Sequence, residues 1–490
     1  MSLSVPAPQN VPGPRSLPLV GDFADFYMKA SGFKLPLNAL MQTHALNEYY
    51  KKFGQTYRLN VWGEENVFIC NPEDIITAYR NEGKDPAGFI ENLWIVQRWA
   101  EKYDYKKIRG LLDHGDDWRS VRQSFTKDII SPQLARTYLP FINEACQLAS
   151  PNLSMYADRP DEFSSRLSFD MFASALFGIQ MQCAAGSASH EDLMYVANAK
   201  RLSNLVGATG CSQRYLKLPL FKYHPINREC EDLLNRNFAY GKVLMERALE
   251  ASSSLPDDCK PLVAKFLSSG RLTCEAAQEI VAGLLMFGVD TTECIINWNM
   301  LHLAMNPDKQ QKLRSELTRV LGSGPLTPEV AQNMKSKLPY LCAVVREAHR
   351  LTPSQAVLSQ RVAPYDLNLS GFLVPKGTKI NFQVYSLQND PRYVENPDMF
   401  EPACWLPDAV ASRRGTDSEL IDHKLLATPF SFGARMCPGS RIATLEVYAM
   451  LSRIVRDWRF EVAEGAQPWE NVAPMFTKAL PFPGFCFERC

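Results

Sequence analysis

The chain has 490 residues, 46% of them hydrophobic and 22% charged, with Lys plus Arg equal to Asp plus Glu at 53 each. That length allows a large core and up to two or three domains, and the composition is that of an ordinary soluble globular protein. Zero net charge gives no reason to expect nucleic acid, while a local basic patch for an acidic protein partner stays open.

The first 20 residues are rich in proline and glycine and read as an extended lead-in. They hold no stretch of about 20 apolar residues and no Arg-rich amphipathic leader, so no membrane span or transit peptide is visible. No repeat, low-complexity tract or long charge run divides the rest, and residues 21–490 read as a single domain. Residues 55–71 alternate and carry Val, Tyr, Phe and Ile, which predicts a hairpin turning near Gly63. Asp116 and Asp117 then mark a helix start that puts Trp118 and Arg122 on one face. Both side chains are donors only and together suit a carboxylate. Taken alone, they are a surface arginine beside a half-buried tryptophan.

Residues 160–270 contain several amphipathic helix patterns, broken by the basic, aromatic segment QRYLKLPLFKYHPI. From Thr273 to about Asn306 runs one long apolar helix pattern, capped by Thr273 and closed by Asn306-Pro307. At about 32 residues it spans roughly 48 Å, enough to cross a domain, and its composition predicts burial. Inside it sits Gly288-Val289-Asp290-Thr291-Thr292. A buried acid without a partner is costly, glycine weakens a helix, and threonine competes for the carbonyl four residues back. Together they predict a groove for oxygen, water and protons, against the plainer reading of a helix-packing notch. Glu347 and Arg350 lie three apart on a later helix face, a spacing that also fits a surface ion pair. Residues 371–405 read as two strands joined at Pro375-Lys376-Gly377 and then a Pro-rich meander.

The 13 cysteines are odd in number and scattered, with no C-x-x-C and no H-E-x-x-H among seven histidines, which predicts a reducing compartment and no zinc site. Cys437 is set apart. It lies in Phe430-Ser431-Phe432-Gly433-Ala434-Arg435-Met436-Cys437-Pro438-Gly439, just ahead of a helical run, where a thiolate is favoured electrostatically. The glycines allow close backbone approach to something flat. A sulfur so placed suits a haem iron, while the bland alternative is a buried inert cysteine.

The stretch resembles the haem-binding signature F-x-x-G-x-R-x-C-x-G of the cytochrome P450 family, with Phe430, Gly433, Arg435, Cys437 and Gly439 at its fixed positions. Trp118 and Arg122 match the family's W-x-x-x-R, Gly288 to Thr291 its oxygen-activation motif, and Glu347 and Arg350 its E-x-x-R, all in the family's order. The resemblance implies a mainly α fold with a long central helix over the haem and a smaller β-rich region. It implies haem b (iron protoporphyrin IX) ligated by Cys437, with Arg435, Trp118, Arg122 and Arg361 at the propionates. Asp290 and Thr291 take the proton-delivery roles, and Glu347 and Arg350 form a structural pair. It makes the segment after residue 212 a lid over the substrate channel, in peripheral membrane contact, where the sequence alone also allows a surface loop. Residues 89–99, Phe287, Val357, Leu358, Met475 and Phe476 are the implied pocket walls, and their apolar character fits a lipophilic substrate.

Two positions depart from the family. Phe287 stands where Ala or Gly is usual, so its ring is expected toward the distal face of the haem or the substrate pocket. Cys404 replaces the arginine that completes a triad with Glu347 and Arg350, which predicts a somewhat weakened brace without loss of haem binding, and leaves open whether His349 compensates. The motifs look most like the mitochondrial-type branch, implying O2, electrons from NADPH through a ferredoxin, a sterol, secosteroid or other lipid substrate, and the matrix side of the inner mitochondrial membrane. Arg346 keeps half of that branch's basic docking pair, and Cys342 stands at the other half. A flavoprotein reductase in the endoplasmic reticulum, a peroxide-using or rearranging haem-thiolate enzyme, and a non-catalytic haem or lipid carrier are the alternatives.

Overall fold

The computed structural model describes residues 43–61, 64–88, 93–130, 133–211, 224–253, 260–355, 359–472 and 476–490, with residues 8, 10–15, 22, 255, 256 and 357. Leu358, Met475, residues 89–92, Gly63 and most of the basic aromatic segment lie outside them.

The fold is mainly helical with a small β region. Its axis is the helix Cys274–Met305, whose length follows from local signals. Thr273 Oγ1 accepts the Ala276 N–H at 3.2 Å, Glu275 occupies the first turn, and Pro307 opens the next helix, Pro307–Leu321. Apolar residues on most sides of the helix, Ile280, Leu285, Val289 and Ile296 among them, are buried. It packs against the helices Pro160–Phe177, Pro225–Ser252, Pro339–Leu351 and Ser440–Asp457. Among the described residues no helix is long and apolar enough to cross a membrane.

The expected hairpin forms, with Thr56–Val61 antiparallel to Glu64–Ile69 and the Tyr57 and Phe68 rings stacked 5.1 Å apart. Lys379–Phe382 adds in parallel and Ser359–Val362 antiparallel, completing a four-stranded sheet. The strands flanking Pro375-Lys376-Gly377 form as expected but do not pair with each other. Phe372–Val374 pairs with Leu367–Leu369, while Lys379–Phe382 joins the larger sheet. The reason is that Ala363 already takes the turn: its carbonyl accepts from Gly377 and its N–H donates to Thr378, so the chain leaves one sheet for the other.

Three apolar regions meet around the long helix and the cysteine loop. The main core takes Val289 and Ile296; the sheet's core takes Phe432; a third region, built from residues 93–112 and 202–234, takes Met286 and Phe287.

Candidate active site

The cysteine loop is bent by two residues in the left-handed region, Ser431 (φ 61°) and Gly433 (φ 72°). At Gly433 a side chain is also excluded by space, because a Cβ would run into Glu82 Oε1 and lie 3.1 Å from the Tyr79 ring. Tyr79 ties the loop down: its hydroxyl lies 2.9 Å from Ser431 Oγ and accepts the Phe432 N–H at 3.2 Å. The Cys437 N–H then donates to the Phe430 carbonyl at 2.9 Å, closing the turn that presents the sulfur at the start of the helix Ser440–Asp457.

Burial pushes the Cys437 thiol up, while the N–H groups of Gly439 and Ser440 and the Arg122 guanidinium favour the thiolate. A cation bound at sulfur would supply what remains.

Around the loop stand the expected arginines. Arg122 donates to the Met436 carbonyl. Arg435 donates to the carbonyls of Pro86 and Asp113, and its guanidinium lies 4.5 Å from the centre of the Trp118 ring. Arg361 is buried, pairs with Glu82 at 2.5 Å and donates to the Phe432 carbonyl at 3.3 Å. Trp118 thus stacks under Arg435 as well as sharing a helix face with Arg122. Burial, then Arg361 and Arg122, lower Arg435 to about 10, and Asp113 and Glu82 only partly offset this. Among the described residues, three guanidinium groups therefore stand near two carboxylates, Glu82 paired with Arg361 and Asp113 accepting the His114 N–H. A flat group with negative edge substituents and a metal for sulfur fits this surplus of positive charge, buried at Arg361 and half-buried at Arg122 and Arg435.

The middle of the long helix is its electrostatic opposite. Thr291 Oγ1 donates to the Phe287 carbonyl at 2.9 Å, and Thr292 Oγ1 to the Gly288 carbonyl at 3.1 Å. Gly288 admits the Phe172 ring, since a Cβ there would lie 2.8 Å from it. Asp290 is buried, and among the described residues neither of its oxygens completes a hydrogen bond. Burial first, and Glu293 second, push its carboxyl up to about 6; Lys478, Ser203 and Lys200 work against the rise. A group poised there holds or releases a proton near neutral pH.

Two further acids escaped the sequence reading. Glu446, on the cysteine's own helix, is buried and lies 3.0 Å from Thr292 Oγ1, with burial pushing it up to about 8. Glu82, paired with Arg361, also accepts the Ala434 N–H at 3.2 Å. Their partners lie 154 to 352 positions away in the chain, so no local pattern announces them.

The brace around Glu347 is not weakened. Its carboxylate accepts Arg350 Nε at 2.8 Å and Nη2 at 2.9 Å, the Glu401 N–H at 2.9 Å and Trp405 Nε1 at 2.8 Å. The indole beside Cys404 takes the donor role of the missing arginine, and Arg346 lies over its ring at 3.7 Å. His349 is not among these donors, and burial holds its ring near 4, in the neutral form. Arg346 also donates to the Ile421 carbonyl at 3.2 Å, so it is engaged inside the fold. Of the pocket candidates, Phe287 packs with the region around Trp99 and Leu205, Val357 lies against the sheet's core, and Phe476 is buried in the main core.

The family model described as Cytochrome P450 matches residues 11–483. The chain is 25% identical over 475 residues to Probable cytochrome P450 49a1 of Drosophila melanogaster, covering 93% of this chain and 78% of the relative. It is 26% identical over 453 residues to the mitochondrial sterol 26-hydroxylase of Homo sapiens, covering 88% and 82%. With the mitochondrial cholesterol side-chain cleavage enzyme of Capra hircus it shares 23% identity over 434 residues, covering 85% and 79%.

Proposed function

The chain belongs to the cytochrome P450 family, is a monooxygenase of it and is most similar to its mitochondrial-type members; from that premise we propose that it hydroxylates a sterol, secosteroid or other lipid. The haem is haem b, the electrons start on NADPH and arrive through a ferredoxin, and the enzyme works on the matrix side of the inner mitochondrial membrane as one catalytic domain over residues 21–490. The relatives' names support this class of substrate and compartment.

The observation that carries the reading is the combination of a half-buried cysteine on a loop ringed by arginines with a buried acid on the long helix whose oxygens lack partners among the described residues. Cys437 supplies the sulfur ligand, and the Gly439 and Ser440 N–H groups with Arg122 stabilise its negative charge. Arg435, Arg361 and Arg122, with Trp118 beneath Arg435, hold the cofactor's carboxylates. When bound, haem supplies the iron at which O2 is reduced and split. Asp290 holds a proton at its carboxyl, and Thr291 Oγ1 orders the last donor beside the groove. Phe287 and its apolar neighbours exclude water and shape the space for a lipophilic molecule.

The test is the carbon monoxide spectrum of the reduced protein, then turnover of a sterol and fatty-acid panel with a ferredoxin and its reductase. A strongly red-shifted Soret band, lost in Cys437→Ser, and hydroxylated product are expected. A band at the histidine-ligated position would overturn the ligand assignment, and product only with a lipid hydroperoxide and no reductase would overturn the monooxygenase route for this substrate.

A further inference from the structure

One charged pair beside Asp290 has no part in that chemistry. Glu293 lies nearly one turn beyond Asp290 on the same helix, and its Oε1 is 3.2 Å from Lys200 Nζ. Lys200 comes from the helix His190–Cys211, which packs across the long helix. Its Nζ is also 3.2 Å from Asp161 Oδ2, in the first turn of the helix Pro160–Phe177. The side chains of Lys200 and Asp161 are 31% and 33% exposed and that of Glu293 is 3% exposed, while Asp290 is 4% exposed. The charged groups therefore run from a half-open edge into the closed interior.

Glu293 Oε2 and both oxygens of Asp290 lack hydrogen-bond partners among the described residues. Asp290 is faced by Glu293 from its own helix, by Tyr195, Lys200 and Ser203 from the helix above, and by Lys478 from the strand Lys478–Leu480. Cys294 lies beside both acids and Lys478. Two carboxyls this close in an apolar setting do not both ionise without a cation. Among the described residues one ammonium stands at contact distance, that of Lys200, and it is on Glu293. Burial alone would lower Lys200, yet the carboxylates of Glu293 and Asp161 hold it above its ordinary value, so it remains an ammonium.

We propose that Lys200, through its ion pair with Glu293, decides which of the two buried carboxyls carries the proton: Glu293 is kept as the carboxylate, Asp290 as the proton-holding acid. This deepens the assignment of Asp290 as proton donor and rests on it. In each cycle the O–H bond of Asp290 breaks, its proton leaves toward the groove, and a proton from solvent entering at the Lys200–Asp161 edge restores the bond. No electron moves in this exchange. Lys200 is a positioning residue, and because it is carried by the overlying helix, the placement of that helix governs proton supply.

Difference infrared spectroscopy of the haem-loaded chain, titrated across about pH 6, tests the order. An acid band lost in Asp290→Asn and kept in Glu293→Gln is expected in the parent. In Lys200→Met a second acid band is expected, lost when Glu293→Gln is added, whereas Lys200→Arg keeps the parent spectrum. Glu293→Gln alone moves the Asp290 midpoint downward, because a neighbouring negative charge is removed. A parent band that vanishes with Glu293→Gln, or a Lys200→Met spectrum identical to the parent's, overturns the proposal. If Lys200→Met does not fold, the Glu293→Gln midpoint decides, and no downward shift overturns it. Product formed per electron pair in Asp290→Asn is a separate readout: unchanged coupling sinks the proton role of Asp290 and leaves the proton order standing.

Discussion

The half-buried cysteine loop and the buried middle of the long helix are both charged, yet they carry their charge in opposite ways. Around the loop, cations are in surplus and are locked: Arg122, Arg361 and Arg435 all donate to backbone carbonyls of the loop or its neighbours. At the helix, two carboxyls are loose: Asp290 on it and Glu446 on the neighbouring helix Ser440–Asp457 each keep oxygens unpartnered among the described residues. Fixed cations beside a sulfur suit a permanent anionic ligand and a permanent anionic cofactor. Loose acids shifted toward neutral pH suit a proton that must come and go. The same low dielectric serves both: it makes the locked pairs hard to remove and the loose acids easy to protonate.

Breaking the locked side gives the largest expected effect. Arg361→Leu leaves Glu82 buried without its cation, and loss of one partner of a buried pair costs about 3–5 kcal/mol. Chemical denaturation should show that loss, with poor haem retention alongside, and adding Glu82→Gln should recover most of the stability. A single variant within about 1 kcal/mol of the parent would mean the pair does not hold the loop.

The legible parts of the molecule were those specified by neighbours in sequence. The long helix was readable because cap, apolar pattern and stop lie on one stretch, and the cysteine loop because glycine, arginine and cysteine fall within ten residues. The Arg361–Glu82 pair spans 279 positions and the Thr292–Glu446 contact 154, so only folding brings them together. Trp405 is a different case: it sits next to the odd Cys404, and a second donor beside a missing one was a signal in plain view. Glu293 likewise stood as an extra acid in an apolar helix, but its meaning depends on Lys200, 93 positions earlier, which the sequence does not place.

On the loose side, Thr291→Ala separates stability from proton handling. The hydroxyl donates within its own helix, so its loss should leave stability within about 1 kcal/mol of the parent. Product per NADPH should fall about tenfold or more, with oxygen uptake continuing and peroxide appearing instead. Unchanged coupling would place the last proton donor elsewhere in the groove.

Glu446→Gln probes the same loose chemistry where turnover should respond least, since Glu446 touches Thr292, whose hydroxyl lies about 100° round the helix from that of Thr291. Burial raises its carboxyl from the ordinary 4.5 to about 8, so the folded chain binds a proton that the unfolded chain releases. The stabilisation linked to that proton is fully present below about pH 4.5 and is lost as pH rises toward 8. A glutamine keeps the shape and the bond to Thr292 and has no proton to lose. The variant should therefore match the parent in acid and gain on the order of 1–3 kcal/mol over it near pH 7, flattening the slope of stability with pH. Parallel profiles for the two chains would mean that Glu446 is already ionised in the fold, and that a counter-charge reaches it beside the Thr292 hydroxyl.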